Sequence, residues 1–116
     1  MSSSRKLSDQ ELTAKFNNMK SDLNNLAQKI GELEGETEEH KAVIETLSPL
    51  NGDRKCFRLV GGVLVERTVK DVLPALKTNH EGIKRVMDQL IKTYKEKEDE
   101  FTAFQKEYNI KLVPRT

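Results

Sequence analysis

Cys56, His40 and His80 are the residues of this chain whose types could do chemistry. A thiolate can attack an electrophile or hold a soft metal, and an imidazole can move a proton or bind zinc. Their spacing supports neither use. There is no second cysteine, no paired-histidine spacing and no carboxylate cluster with them. Cys56 reads as a small strand residue and the histidines as polar positions on helical seams. No catalytic, cofactor-binding or metal-binding residue is expected. Gly61-Gly62 invites a second chemical reading, as a phosphate cradle. It lacks the Lys and Ser/Thr that such a loop needs, and it joins two strands rather than a strand and a helix. A tight turn is the better reading. The acidic run "ELEGETEEH" and the mixed run "KEKEDE" could hold charged partners but read as solvated helix surface.

The elements that carry these residues are unusual in composition. Of the 116 residues, 34% are charged, against roughly a quarter in ordinary globular domains. Apolar residues are too many for a disordered chain and too dispersed for a compact globule, which suits helices that bury a narrow stripe. A net charge of +1 gives no global pull on nucleic acid or an anionic membrane. One cysteine permits no internal disulfide and fits a reducing compartment. No apolar run approaches the roughly 20 residues of a membrane span, and "MSSSRKL" has no apolar core of a secretory signal. One domain over 1–116 is expected.

Its first helix is predicted over 8–48. Ser8 and Glu11 make a capping box, and Leu7 and Leu12 sit where a hydrophobic staple would close the same turn. Leu12, Phe16, Met19, Leu23, Leu26, Ile30, Leu33, Ile44 and Leu47 then follow steps of four and three, with Thr37 and His40 as polar members. Pro49 ends the run. At about 1.5 Å per residue such a helix is about 60 Å long, and its seam needs a partner. Residues 49–72 are linker and hairpin: "SPLNGDRK" is turn chemistry, and two β-rich runs flank Gly61-Gly62. Thr68 with Asp71 resembles a second helix start, and Pro74 fits an early turn or a kink. A second helix is predicted over 75–108. Its seam is Leu76, Ile83, Met87, Leu90, Tyr94, Phe101, Phe104 and Tyr108, interrupted by His80 and Lys97. Residues 109–116 are a tail. The fold class is mainly α: a long antiparallel two-helix coiled coil joined by one β-hairpin. One register pairs Leu12 with Tyr108, Phe16 with Phe104, Leu33 with Met87 and His40 with His80. Another, a heptad along, pairs His40 with Met87. The first uses more of both seams and is preferred.

Two places suggest binding. An isolated hairpin is marginal in water, yet Phe57, Leu59, Val60, Val63, Leu64 and Val65 make this one apolar on both faces, and its outer edges are unpaired. It reads as an assembly element, Gly61 and Gly62 included, whose hairpins from several chains would close into a barrel. A connector that folds back on its own helices is the plainer alternative. At the opposite end, Leu7, Leu12, Phe16, Met19, Phe104, Tyr108, Ile110, Leu112 and Val113 would offer apolar surface to a partner if the tips are not fully zipped. Ordinary seam residues with a frayed tail are an equal reading there.

The order helix, single hairpin, helix resembles a β-class prefoldin subunit. "RKCFRLVGGVLVERTVKDVLPAL" is the specific stretch, and "EHKAVIETL" and "YNIKLV" agree with it. The resemblance implies a heterohexamer of α- and β-class subunits. Their hairpins form a β-barrel platform, and their coiled-coil tips hold unfolded clients such as actin and tubulin for a cytosolic group II chaperonin. It implies no nucleotide, no cofactor, no catalytic residue, no nucleic acid and no membrane partner. It places the protein in the cytoplasm, with the nucleus as a second compartment. The rival reading from another class is a coiled-coil tether, a homodimeric scaffold that spaces two partners.

Overall fold

The structure is a computed structural model and describes residues 7–110. Its elements are α1 (Asp9–Leu47), β1 (Lys55–Val60), β2 (Val63–Thr68) and α2 (Val69–Glu107). The contacts fall into two compact units. One joins α1 up to Ile30 with α2 from Gln89 onward; the other runs from Gly31 to Asp88.

In the first unit, α1 opens on a closed capping box. The Glu11 amide donates to Ser8 Oγ at 3.1 Å, and the Ser8 amide donates to Glu11 Oε1 at 3.2 Å. Two otherwise unpaired backbone donors of the first turn are thereby satisfied. From Leu12 to Ile30 every seam residue is buried or half-buried, and the residues between them are exposed. On α2 the seam residues Leu90, Tyr94, Phe101 and Tyr108 are half-buried, as are Ile91, Thr93 and Gln105 beside them, and Phe104 is only 4% exposed. Phe16 packs on Phe101 with ring centroids 5.2 Å apart, and Phe104 packs on Tyr108 at 5.1 Å. Lys15 Nζ lies 5.2 Å from the Phe104 ring centre, a cation–π contact that also lays the aliphatic stem along the helix. Numbers rise along α1 as they fall along α2, so the two segments are antiparallel. These contacts fall within a turn of the first of the two registers expected, with Phe16 on Phe101 rather than on Phe104; the second would carry Phe16 past the end of α2.

A Schellman motif ends α2. Asn109 adopts φ of 52°, a left-handed conformation that Asn tolerates better than most residues. The Ile110 amide donates to the Gln105 carbonyl at 2.9 Å, and the Asn109 amide to the Lys106 carbonyl at 3.3 Å. This is the hydrogen-bond pattern of that cap.

In the second unit, Leu33 and Thr37 are buried on α1, at 7% exposure each. Thr37 is polar in an apolar seam, and its hydroxyl donates to the Glu34 carbonyl of its own helix at 2.8 Å. His40 Nδ1 lies 2.9 Å from the Glu36 carbonyl; a carbonyl only accepts, so Nδ1 carries the proton. His40 and Leu33 share a groove with Asn79, Gly82, Ile83 and Val86 of α2.

The second helix begins at Val69, directly after β2, where Thr68 with Asp71 suggested a start, and ahead of the 75–108 bounds expected for it. Two contacts from the 48–54 linker make this start workable. The Val69 amide donates to the Arg54 carbonyl and the Lys70 amide to the Gly52 carbonyl, both at 3.0 Å. The linker thereby fills part of the capping need of the first turn. Val69 is the most deeply buried core side chain, 2% exposed. A Cβ on Gly52 would lie 3.3 Å from the Lys70 Cβ, so glycine permits this close approach. Pro74 lies inside the helix, early enough that the missing amide costs only one hydrogen bond, to the Lys70 carbonyl.

Candidate functional site

The hairpin's turn is set by two glycines. Gly61 and Gly62 have φ of 55° and 82°, positive at both central positions as a type I′ turn requires, and this turn matches the natural twist of paired strands. It fixes the register Val60↔Val63, Leu59↔Leu64, Arg58↔Val65, Phe57↔Glu66, Cys56↔Arg67, Lys55↔Thr68. Opposed residues share a face and successive residues alternate. One face therefore carries Lys55, Phe57, Leu59, Leu64, Glu66 and Thr68. The other carries Cys56, Arg58, Val60, Val63, Val65 and Arg67.

The apolar residues of the hairpin stand largely in solvent. Phe57 is 67% exposed, Leu59 and Leu64 are 68%, Val63 is 63% and Val60 is 52%. Val65 and Cys56 are half-buried. So large an apolar set around one turn is more than scattered surface hydrophobicity. Lys55 pairs with Glu66 at 3.2 Å across the base of the first face. The hairpin makes the only sheet among the described residues, two strands wide, so both outer edges lack a strand neighbour.

The end of the first unit is more closed than a free tip would be. Phe104 lies in the core, because Tyr108 and Lys15 pack against its ring. Of the other residues expected at that end, Leu7, Leu12, Phe16, Met19, Tyr108 and Ile110 are half-buried. Leu112 and Val113 lie outside the described residues. A groove missed in the sequence reading runs beside this seam, lined by Ala27, Ile30, Ile91 and Tyr94 with Lys95 and Glu98 at its rim. Ile91 sits next to the seam residue Leu90, and that adjacency was the only sequence signal for it.

Cys56 is a free thiol on β1. No group of three metal-ligating side chains occurs among the described residues. No described helix is long and apolar enough to cross a membrane.

Residues 10–115 match the profile of the prefoldin subunit family. The chain belongs to that family. Among its relatives, the probable prefoldin subunit 2 of Schizosaccharomyces pombe is 48% identical over 104 residues, covering 90% of this chain and 91% of that one. Prefoldin subunit 2 of Homo sapiens is 44% identical over 107 residues, covering 92% and 70%. The fold matches the crystal structure of the prefoldin β subunit from Thermococcus strain KS-1 with a TM-score of 0.77. Identity there is 18%, and the match covers 91% of this chain and 93% of that one. Two helices and a single hairpin are thus the architecture of a prefoldin β subunit, as the central stretch suggested, and the named relatives are of the subunit 2 type.

Proposed function

We propose that the chain is one subunit of a heterohexameric, ATP-independent co-chaperone. Its hairpin joins those of other α- and β-class prefoldin subunits. Its helix ends help hold unfolded proteins such as actin and tubulin, and the complex passes them to the cytosolic group II chaperonin. The observation that carries this reading is the exposed apolar hairpin, which a lone chain leaves uncovered on both faces and both edges. Such a surface favours association.

Client holding then rests on several weak contacts acting together. Each tip offers a modest apolar surface, and several tips on one platform raise the effective concentration of the rest. Weak single contacts allow release without nucleotide hydrolysis, and the role needs no catalytic group or cofactor. The cytoplasm is the compartment where such clients arise. The test uses the assembled complex with and without residues 1–16 and 109–116 of this chain. Trimming is expected to weaken suppression of client aggregation while leaving the complex assembled. Equal suppression by the trimmed complex would show that this chain's ends are not client contacts. A chain that forms a stable homodimer and ignores other prefoldin subunits would point instead to a tether.

A further inference from the structure

We propose that the two faces of the hairpin have different fates in the assembly. Phe57, Leu59 and Leu64 turn inward, against the apolar faces of hairpins from neighbouring prefoldin subunits. Val60, Val63, Arg58 and Arg67 stay outside. This rests on the assembly reading and adds an orientation to it.

Charge is the first argument. On the face of Phe57, the only charged residues are Lys55 and Glu66, and they neutralise each other at 3.2 Å. On the opposite face, Arg58 and Arg67 are diagonal neighbours in the register, and both are exposed. No carboxylate forms an ion pair with either among the described residues, and the one side-chain hydrogen bond there is from Arg67 Nη1 to the Glu66 carbonyl at 3.3 Å. A shared apolar interior accepts a paired charge at its rim far more readily than two unpaired guanidinium groups of like sign.

Coverage by the chain itself is the second argument. On the arginine face Cys56 and Val65 are half-buried and Arg58, Val60, Val63 and Arg67 are exposed; on the other face Thr68 is half-buried and Lys55, Phe57, Leu59, Leu64 and Glu66 are exposed. Both faces are largely bare, and the one that the chain covers less beyond its base also carries the largest apolar side chains, Phe57, Leu59 and Leu64.

Backbone geometry leaves both edges open to a further strand and does not itself select a face. In a hairpin closed by a two-residue turn, the pair beside the turn is hydrogen-bonded inward and the next pair points its amides and carbonyls outward. From the register, the outward groups belong to Phe57 and Leu59 on one edge and to Leu64 and Glu66 on the other. A strand added at either edge would bond to these residues, and its own side chains would alternate between the two faces.

Leu64 and Val63 are adjacent but on opposite faces, so they make the test. Leu64→Cys and Val63→Cys are each placed in a Cys56→Ala background, which leaves one thiol per chain. Each is assembled with the other prefoldin subunits, and maleimide labelling is compared between the free chain and the complex. Leu64→Cys is expected to label at least about tenfold more slowly in the complex, because thiol reactivity needs access, and Val63→Cys to stay within about twofold. Failure of Leu64→Cys alone to assemble also supports the orientation. Protection of Val63→Cys as strong as that of Leu64→Cys, or failure of Val63→Cys alone to assemble, overturns it and leaves assembly standing. If the unmodified chain enters no complex, the assembly reading falls and the orientation falls with it.

Discussion

Phe104 and Thr37 show how little a residue's type says about its burden. Phe104 looked like surface for a client, yet it is 4% exposed and held between Tyr108 and Lys15. Phe104→Ala should cost about 3–5 kcal/mol, the usual loss for a buried aromatic, read as a lower urea midpoint at unchanged slope. Thr37 is a hydroxyl in an apolar seam, yet its hydrogen bond closes on its own helix at the Glu34 carbonyl. Thr37→Val keeps the shape and leaves no cross-helix partner stranded, so its effect should stay within about 1 kcal/mol. A loss well beyond that in the same denaturation would mean that the hydroxyl has a second role. Both residues were correctly placed on the seam from their spacing alone. Spacing says which side of a helix is covered; how deeply depends on what the facing helix brings.

At the scale of elements, the starts of the two helices contrast. Ser8 and Glu11 are three residues apart, so the cap of α1 is local and was readable. Thr68 with Asp71 signalled the start of α2 locally, and their side chains do hydrogen-bond at 2.9 Å, yet the helix was bounded only from 75, with Pro74 read as an early turn or a kink. What permits the earlier start are carbonyls of Gly52 and Arg54 that reach the Lys70 and Val69 amides, and local propensity cannot anticipate partners from another segment. The interior of α1 offers a prediction of the opposite sign. Gly31 and Gly35 lie on its exposed side, and a Cβ at either would meet open space. Each glycine weakens a helix by about 1 kcal/mol relative to alanine. The double change to alanine should therefore raise the melting temperature by several degrees, at roughly 4 °C per kcal/mol, followed by circular dichroism. An unchanged or lower melting temperature would show that the glycines serve a conformation other than the helix described.

At the scale of the whole molecule, the hairpin is the part that its own chain does not complete. Replacing Leu59 and Leu64 by Asp should leave a soluble helical chain that no longer co-elutes with other prefoldin subunits. Both side chains are 68% exposed, so the folded chain itself should lose less than about 1 kcal/mol. Retained co-elution would remove the hairpin from the assembly. The apolar residues and the Gly-Gly turn of this element were legible from sequence, as was the need for other chains. The difference between its two faces was not drawn, because runs such as "FRLVGGVLVERTV" look apolar throughout until the register separates Phe57, Leu59 and Leu64 from the valines and arginines.

By itself, the sequence determined which residues lie on each seam, where the chain turns and that one β element is left unsatisfied. These are local properties: periodicity, capping residues and backbone conformations that glycine alone adopts freely. Tertiary structure decided what depends on a distant partner. It chose the register by setting Lys15 over Phe104 and Phe16 on Phe101, moved the start of α2 to Val69 through linker carbonyls, and buried Phe104. It also paired Lys55 with Glu66, while Arg58 and Arg67 form no ion pair with a carboxylate among the described residues. Most of these outcomes depend on how one element meets another, which local periodicity and propensity do not fix.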